Sequence, residues 1–177
     1  MMAERGNGSG TLVPVNYATL AAAFRFPADD GGTITRAEHL LAFDRSVSAD
    51  ASSLYERTYS QADTSGLFEE LVRYYEYFGL VRAPDAELPD HVSVELEFMH
   101  FLSELERHAA ARGDDVGSVC RSAREFIDRH LNCLLLGLQA DRRGKPEREA
   151  WALVEAGVEF VARHRAALAA ATVAQMS

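Results

Sequence analysis

No long apolar run and no excess of basic residues occurs in this sequence of 177 residues, and cysteine and proline are both scarce. A helix that crosses a membrane needs about 18 uninterrupted apolar residues; no stretch approaches that, so no stable membrane insertion is expected. Met1 to Gly10 carry charges and glycines without an apolar middle, so they do not read as a secretory signal. Lys and Arg number 18 against 27 Asp and Glu, a formal charge of −9. A protein that grips nucleic acid needs a basic stripe to displace counterions from phosphates. The lack of one argues against that class. The two cysteines, Cys120 and Cys133, fall in one expected helix. Its rise separates them by roughly 20 Å, whereas a disulfide needs Cα atoms within about 7 Å. They are not expected to pair. A reducing compartment fits, and the cytoplasm is the expected location.

Present instead is a 47% hydrophobic composition rich in Ala, Leu, Glu and Arg, enough to bury the core of one domain. β-branched residues never form an alternating run, so helix is expected throughout. Residues 1–13 read as a disordered leader, rich in glycine and without periodicity. A first helix is predicted from Val15 to Phe26, stopped by Pro27. Thr35 then caps a second helix, with Glu38 completing a capping box. Ala51 to Ser60 is assigned to a third helix. Leu67 to Phe78 follows at helical spacing and closes on Gly79. Residues 81–90, bracketed by Pro84 and Pro89, form a polar hinge. Asp90 is expected to cap a helix that opens at His91 and runs to Ala111. Two more helices are predicted, over Val116 to Ala140 and from Pro146 to Ala170. The fold class is therefore all-α: one helical bundle over 14–173, of six or seven helices, with a hinge between its halves.

Enzyme signatures are missing. No phosphate-binding glycine loop occurs, Gly6, Gly8 and Gly10 read as linker, and neither a nucleophile elbow nor a Cys/His pair stands out. His91 and Glu95 lie one turn apart, yet His100 sits about 180° around the helix from His91, and His108 about 80° further. One ion cannot collect them, so no metal and no cofactor are expected.

The most informative segment is Leu88-Pro89-Asp90-His91-Val92-Ser93-Val94-Glu95-Leu96-Glu97-Phe98-Met99-His100-Phe101-Leu102. In local terms it is a capped amphipathic helix in which His91 and Glu95 can pair. It also resembles the P-D-H-x-x-x-E-L-x-F-M-x-x-L signature of the TorD/DmsD/NarJ redox-enzyme maturation chaperones. Three stretches agree: Tyr17, Leu20, Ala21, Phe24 to Pro27; the aromatic run Tyr74 to Leu80; and Glu125-Phe126 with His130-Leu131. The run Asn132 to Leu138 departs from the family, which often continues with Trp, Pro and an aromatic. The Tyr-Glu-Tyr-Phe-Gly-Leu stretch is similar to the chaperones that serve dimethyl sulfide dehydrogenase, ethylbenzene dehydrogenase and selenate reductase.

The resemblance implies a chaperone without catalytic activity. Such proteins bind the twin-arginine signal peptide of a molybdopterin-dependent catalytic subunit, hold the apo-enzyme until its cofactor is inserted, and then release it for export. A leader with a basic start and an apolar middle calls for an apolar groove with carboxylates at its mouth. The partner-binding candidates are Tyr77, Phe78, Asp90, His91, Glu95, Phe98 and Met99, with Asp90 and Glu95 expected to attract the arginine pair. The competing reading is a helical ligand-binding or regulatory domain, which would ordinarily carry a basic DNA-reading helix that this chain lacks. Monomer and domain-swapped dimer both remain open.

Overall fold

The computed structural model describes residues 15–83 and 85–175, with side chains through residue 171. The leader assigned to residues 1–13, and Pro84 at the hinge, lie outside the described residues. Seven α-helices are present among them: α1 Tyr17–Phe24, α2 Arg36–Phe43, α3 Thr64–Tyr77, α4 Val92–Arg112, α5 Gly117–Phe126, α6 Asn132–Asp141 and α7 Ala150–Gln175. α5 and α6 are joined by a π turn, Ile127–Leu131, in which the Asn132 N–H reaches back to the Ile127 carbonyl. Backbone angles stay helical through the join, so one rod runs from Gly117 to Asp141 and the fold counts as six rods. The all-α bundle read from the sequence is the one observed. No helix among the described residues is long and apolar enough to cross a membrane.

α4 is the axis. α1 lies along it, the α5–α6 rod packs against it, and α7 closes the bundle against α5 and α6 while touching α1 and α2. The core is continuous: Phe24, Leu71, Leu96, Met99, Phe126 and Trp151 are fully buried. α1 starts on a capping box in which the Asn16 side chain and backbone exchange bonds with Thr19. It stops at Phe24, two residues short of the expected end, because Pro27 disfavours helical backbone at the residue before it. Gly79 and Gly113, both at positive φ, finish α3 and α4 in the left-handed conformation that glycine adopts without strain.

Three expected elements differ. Ala51 to Ser60 is no helix: it is an extended strap with one 3-10 turn, Glu56–Thr58. Its Tyr55 forms an isolated antiparallel bridge with His91. Lys145 Nζ donates to Ala51 O at 3.4 Å, and Val92 N to Leu54 O at 2.9 Å. Distant partners thus satisfy a backbone rich in Ser, Thr and Tyr, which are mediocre helix formers. Secondly, α7 begins at Ala150 and not at Pro146, whose carbonyl instead accepts the Trp151 indole N–H at 3.0 Å. Thirdly, Thr35 caps α2 through the Glu38 N–H, but the Glu38 carboxylate does not return to close a box; it accepts from Ala150 N at 3.1 Å and so caps α7. Glu38→Ala is expected to lower stability by about 1 kcal/mol, the usual cost of a lost cap, read as a lower urea midpoint at unchanged slope. Glu38→Gln should recover most of it.

Candidate functional site

The strap and the hinge meet at the start of α4. Asp90, expected to cap that helix, faces inward with no exposed surface. Its carboxylate accepts from Arg57 Nη1 at 2.8 and 3.1 Å and from the Arg57 backbone N–H at 3.2 Å. Burial pushes its carboxyl upward against the opposing pull of Arg57. The cap is supplied one residue later: His91 Nδ1 accepts from Ser93 N at 3.2 Å and lies 2.8 Å from Ser93 Oγ. Those bonds keep the neutral ring proton on Nε2, and burial lowers the imidazole pKa to about 4. His91 therefore does not pair with Glu95, as its spacing suggested; its ring packs edge-on against Tyr55 at 5.0 Å.

His91 and Tyr55 form one wall of a cleft of about 420 Å³ whose other walls include Phe24, Phe26, Leu40, Phe43 and Leu54. His39 stands at its floor, between the rings of Phe26 at 5.4 Å and Phe43 at 5.2 Å. Its Nε2 donates to the Phe24 carbonyl at 3.2 Å, so its buried Nδ1 is left as an acceptor without a partner. Two carboxylates, Asp44 and Glu87, line the same cleft, with Arg45 beside them. Glu87 accepts from the Tyr55 hydroxyl at 3.2 Å. Phe26 is 55% exposed, a large ring held open to solvent.

Tyr77 and Phe78 lie elsewhere, at the end of α3. They border a second cleft of about 640 Å³ against α5, with Glu69, Glu70, Arg73, Glu125 and Arg129. Tyr77 is 80% exposed and packs edge-on against Phe78. The charges here already pair among themselves: Arg129 with Glu70 and Glu125, Arg73 with Glu69. Phe98 and Met99 are core residues, Phe98 stacked on Tyr75, Phe78 and Phe126. Of the seven candidates, then, Tyr77, Phe78 and His91 line clefts, while Asp90, Glu95, Phe98 and Met99 lie beneath the surface.

Under the joint is a group of buried polar side chains. Glu95 and Glu56 are buried together, and His130 Nδ1 lies 3.2 Å from Glu56 Oε2. His130 Nε2 is 3.3 Å from Glu70 Oε1, close but poorly aligned for a hydrogen bond. Burial raises the Cys133 thiol nearby, and separately Cys120, each to about 11. Among the described residues no set of three or more His, Cys, Asp or Glu is placed to hold a metal ion.

Sequence reading did not single out Phe26, His39, Tyr55, Glu56 or Glu87 as site residues. They come from four separate stretches, and only the resemblance around Phe24 to Pro27 touched one of them.

Residues 13–133 match the family model described as nitrate reductase delta subunit, a span that contains every residue of the hinge cleft. Among curated proteins, the selenate reductase assembly chaperone protein of Thauera selenatis is 42% identical over 98 residues, 54% of this chain and 50% of that one. The perchlorate reductase assembly chaperone protein of Dechloromonas aromatica is 33% identical over 71% of this chain and 57% of its own length. The chlorate reductase assembly chaperone protein of Ideonella dechloratans is 32% identical over 65% and 68%. The chain thus spans about half the length of the first two of these relatives. No solved structure matches it.

Proposed function

This chain belongs to the nitrate reductase delta subunit family, and from that premise we propose that it is an assembly chaperone for the catalytic subunit of a molybdopterin-dependent oxidoreductase. In this reading it acts in the cytoplasm, performs no chemistry, and binds the subunit's twin-arginine signal peptide until the cofactor is in place. The names of the relatives support the role: they serve selenate, perchlorate and chlorate reductases and a dimethyl sulfide dehydrogenase.

One observation carries the assignment of the site: the cleft beside His91 joins aromatic walls to a carboxylate rim in a chain of net charge −9. A twin-arginine leader has the complementary order, cations followed by an apolar stretch. The exposed Phe26 ring, with Leu40 and Tyr55 lining the same cleft, takes the apolar part by burial. Asp44 and Glu87 hold the arginines and speed encounter. They fill the role that the sequence suggested for Asp90 and Glu95. Asp90 instead anchors the cleft wall through Arg57, and Tyr77 with Phe78 offers a second apolar contact to the folded part of the client.

Phe26→Ala is expected to weaken binding of a synthetic twin-arginine leader by at least about tenfold, a typical loss for a central aromatic anchor, measured by fluorescence anisotropy. Its exposure means that folding should be untouched. Glu87→Gln should flatten the salt dependence of the same affinity. If both variants bind like the parent chain, the leader does not lie in this cleft.

A further inference from the structure

We infer that Glu95 and Glu56 share a single proton, and that this buried hydrogen bond is the lock that holds the strap and the hinge joint against α4 and the π turn. The geometry leaves little else. Glu95 has no exposed surface, and among the described residues no N–H donates to either of its oxygens. Glu56, itself buried, is the carboxyl that faces it. Two carboxylates can join only through a proton on one of them, because two buried like charges repel and neither keeps its water.

The surroundings reinforce this. From the joint comes Asp90, whose charge is matched by Arg57 at 2.8 Å. From α3 come the Tyr75 phenol and, beyond His130, Glu70. The π turn brings His130 to the far side of Glu56, and α6 brings the Cys133 thiol. Arg57 is committed to Asp90 and His130 to Glu56, so a second negative charge at Glu95 would meet no cation of its own. Burial, then Glu56, then Asp90 accordingly push the Glu95 carboxyl well above its ordinary value.

What the lock holds is specific. Beside the Arg57 bonds to Asp90, two backbone–backbone bonds among the described residues fasten the strap to the joint, Glu56 N to Asp90 O and Val92 N to Leu54 O, both 2.9 Å, on either side of the Tyr55–His91 bridge. Glu56 directly follows them. Loss of the proton forces Glu56 and Glu95 apart, and the strap moves with Glu56. That strap carries Ser53, Leu54 and Tyr55 of the cleft, so release of the lock would also open the leader site, a consequence that rests on the reading above; the lock itself does not.

Because the folded state raises this pKa, the stability that it contributes is whole below the ordinary value near 4.5 and drains away as pH climbs to the shifted one. Across that window the unfolding constant gains about tenfold per pH unit from this group alone. The test is urea unfolding of the full chain and of Glu95→Gln from about pH 5 to about pH 9, with amide exchange followed at Glu56 and Val92. Gln is neutral throughout and its amide donates to Glu56. The variant should therefore gain on the parent chain steadily as pH rises, and the two amides should stay protected in it while opening in the parent. A ratio of unfolding constants that does not change with pH overturns the lock. Should Glu95→Gln not fold, infrared spectra of the parent chain decide: a neutral carboxylic C=O band at about pH 6, above the ordinary glutamate range, is required, and its absence overturns the proposal. Leader affinity is measured separately, so a chain that titrates as described but binds no leader refutes only the cleft reading.

Discussion

Phe126→Ala is expected to cost about 3–5 kcal/mol, the range for deleting a phenyl ring from a core. The ring has no exposed surface and stands where three elements meet. It lies 4.7 Å from Phe98 of α4, 5.3 Å from Tyr74 of α3 and 5.2 Å from His130 of the π turn. The cavity would open inside the only aromatic stack that ties α3 to the bundle among the described residues, and a rigid helix cannot slide to fill it. At about 2–4 °C per kcal/mol for a chain of this size, the melting temperature should fall by roughly 10 °C. Phe126→Leu, which keeps most of the volume, should lose less than half as much. Equal losses from the two variants would mean that the ring geometry, and not the filled space, is what matters.

Gly137→Ala should destabilise where the usual rule says the reverse. In a helix interior alanine is better than glycine by about 1 kcal/mol. At Gly137, however, a Cβ would stand 2.5 Å from Tyr59 Cγ and 2.6 Å from Tyr59 Cβ, the root of that side chain and not its flexible tip. Tyr59 cannot swing aside freely, because its hydroxyl donates to Ser53 O at 2.8 Å. Overpacking of this kind costs about 1–3 kcal/mol, and the strap, not the helix, should yield. A double-mutant cycle with Tyr59→Ala checks it: against the shortened residue, Gly137→Ala should become neutral or stabilising. If it is stabilising in the parent chain as well, the strap does not rest on α6 through this contact.

The bundle was legible because its helices announce themselves locally. Leu67 and Leu71 recur at helical spacing, Gly79 and Gly113 mark ends, and Thr35 is an ordinary cap. The signature from Pro89 to Leu102 located the joint for the same reason. What failed was anything settled by a partner far along the chain. Asp90 has the form of a cap, yet Arg57, 33 residues earlier, takes its carboxylate and the cap passes to His91. Glu38 has the form of half a capping box, but a free amide at Ala150 claims it. The strap reads as a helix until Lys145, Asp90 and Val92 satisfy its backbone from outside. The cleft suffers most, since Phe26, His39, Tyr55 and Glu87 share no spacing. Its rings were readable as aromatic residues, not as one another's neighbours.

Both sulfhydryls lie in the α5–α6 rod or at its edge against the core, unpaired, and are raised to about 11. Near neutrality only about one such group in ten thousand is the reactive thiolate, so exchange with other disulfides or attack on peroxide is slow. With its two thiols held this way, the folded chain should resist thiol-directed oxidants, and its stability should be the same with and without a reducing agent.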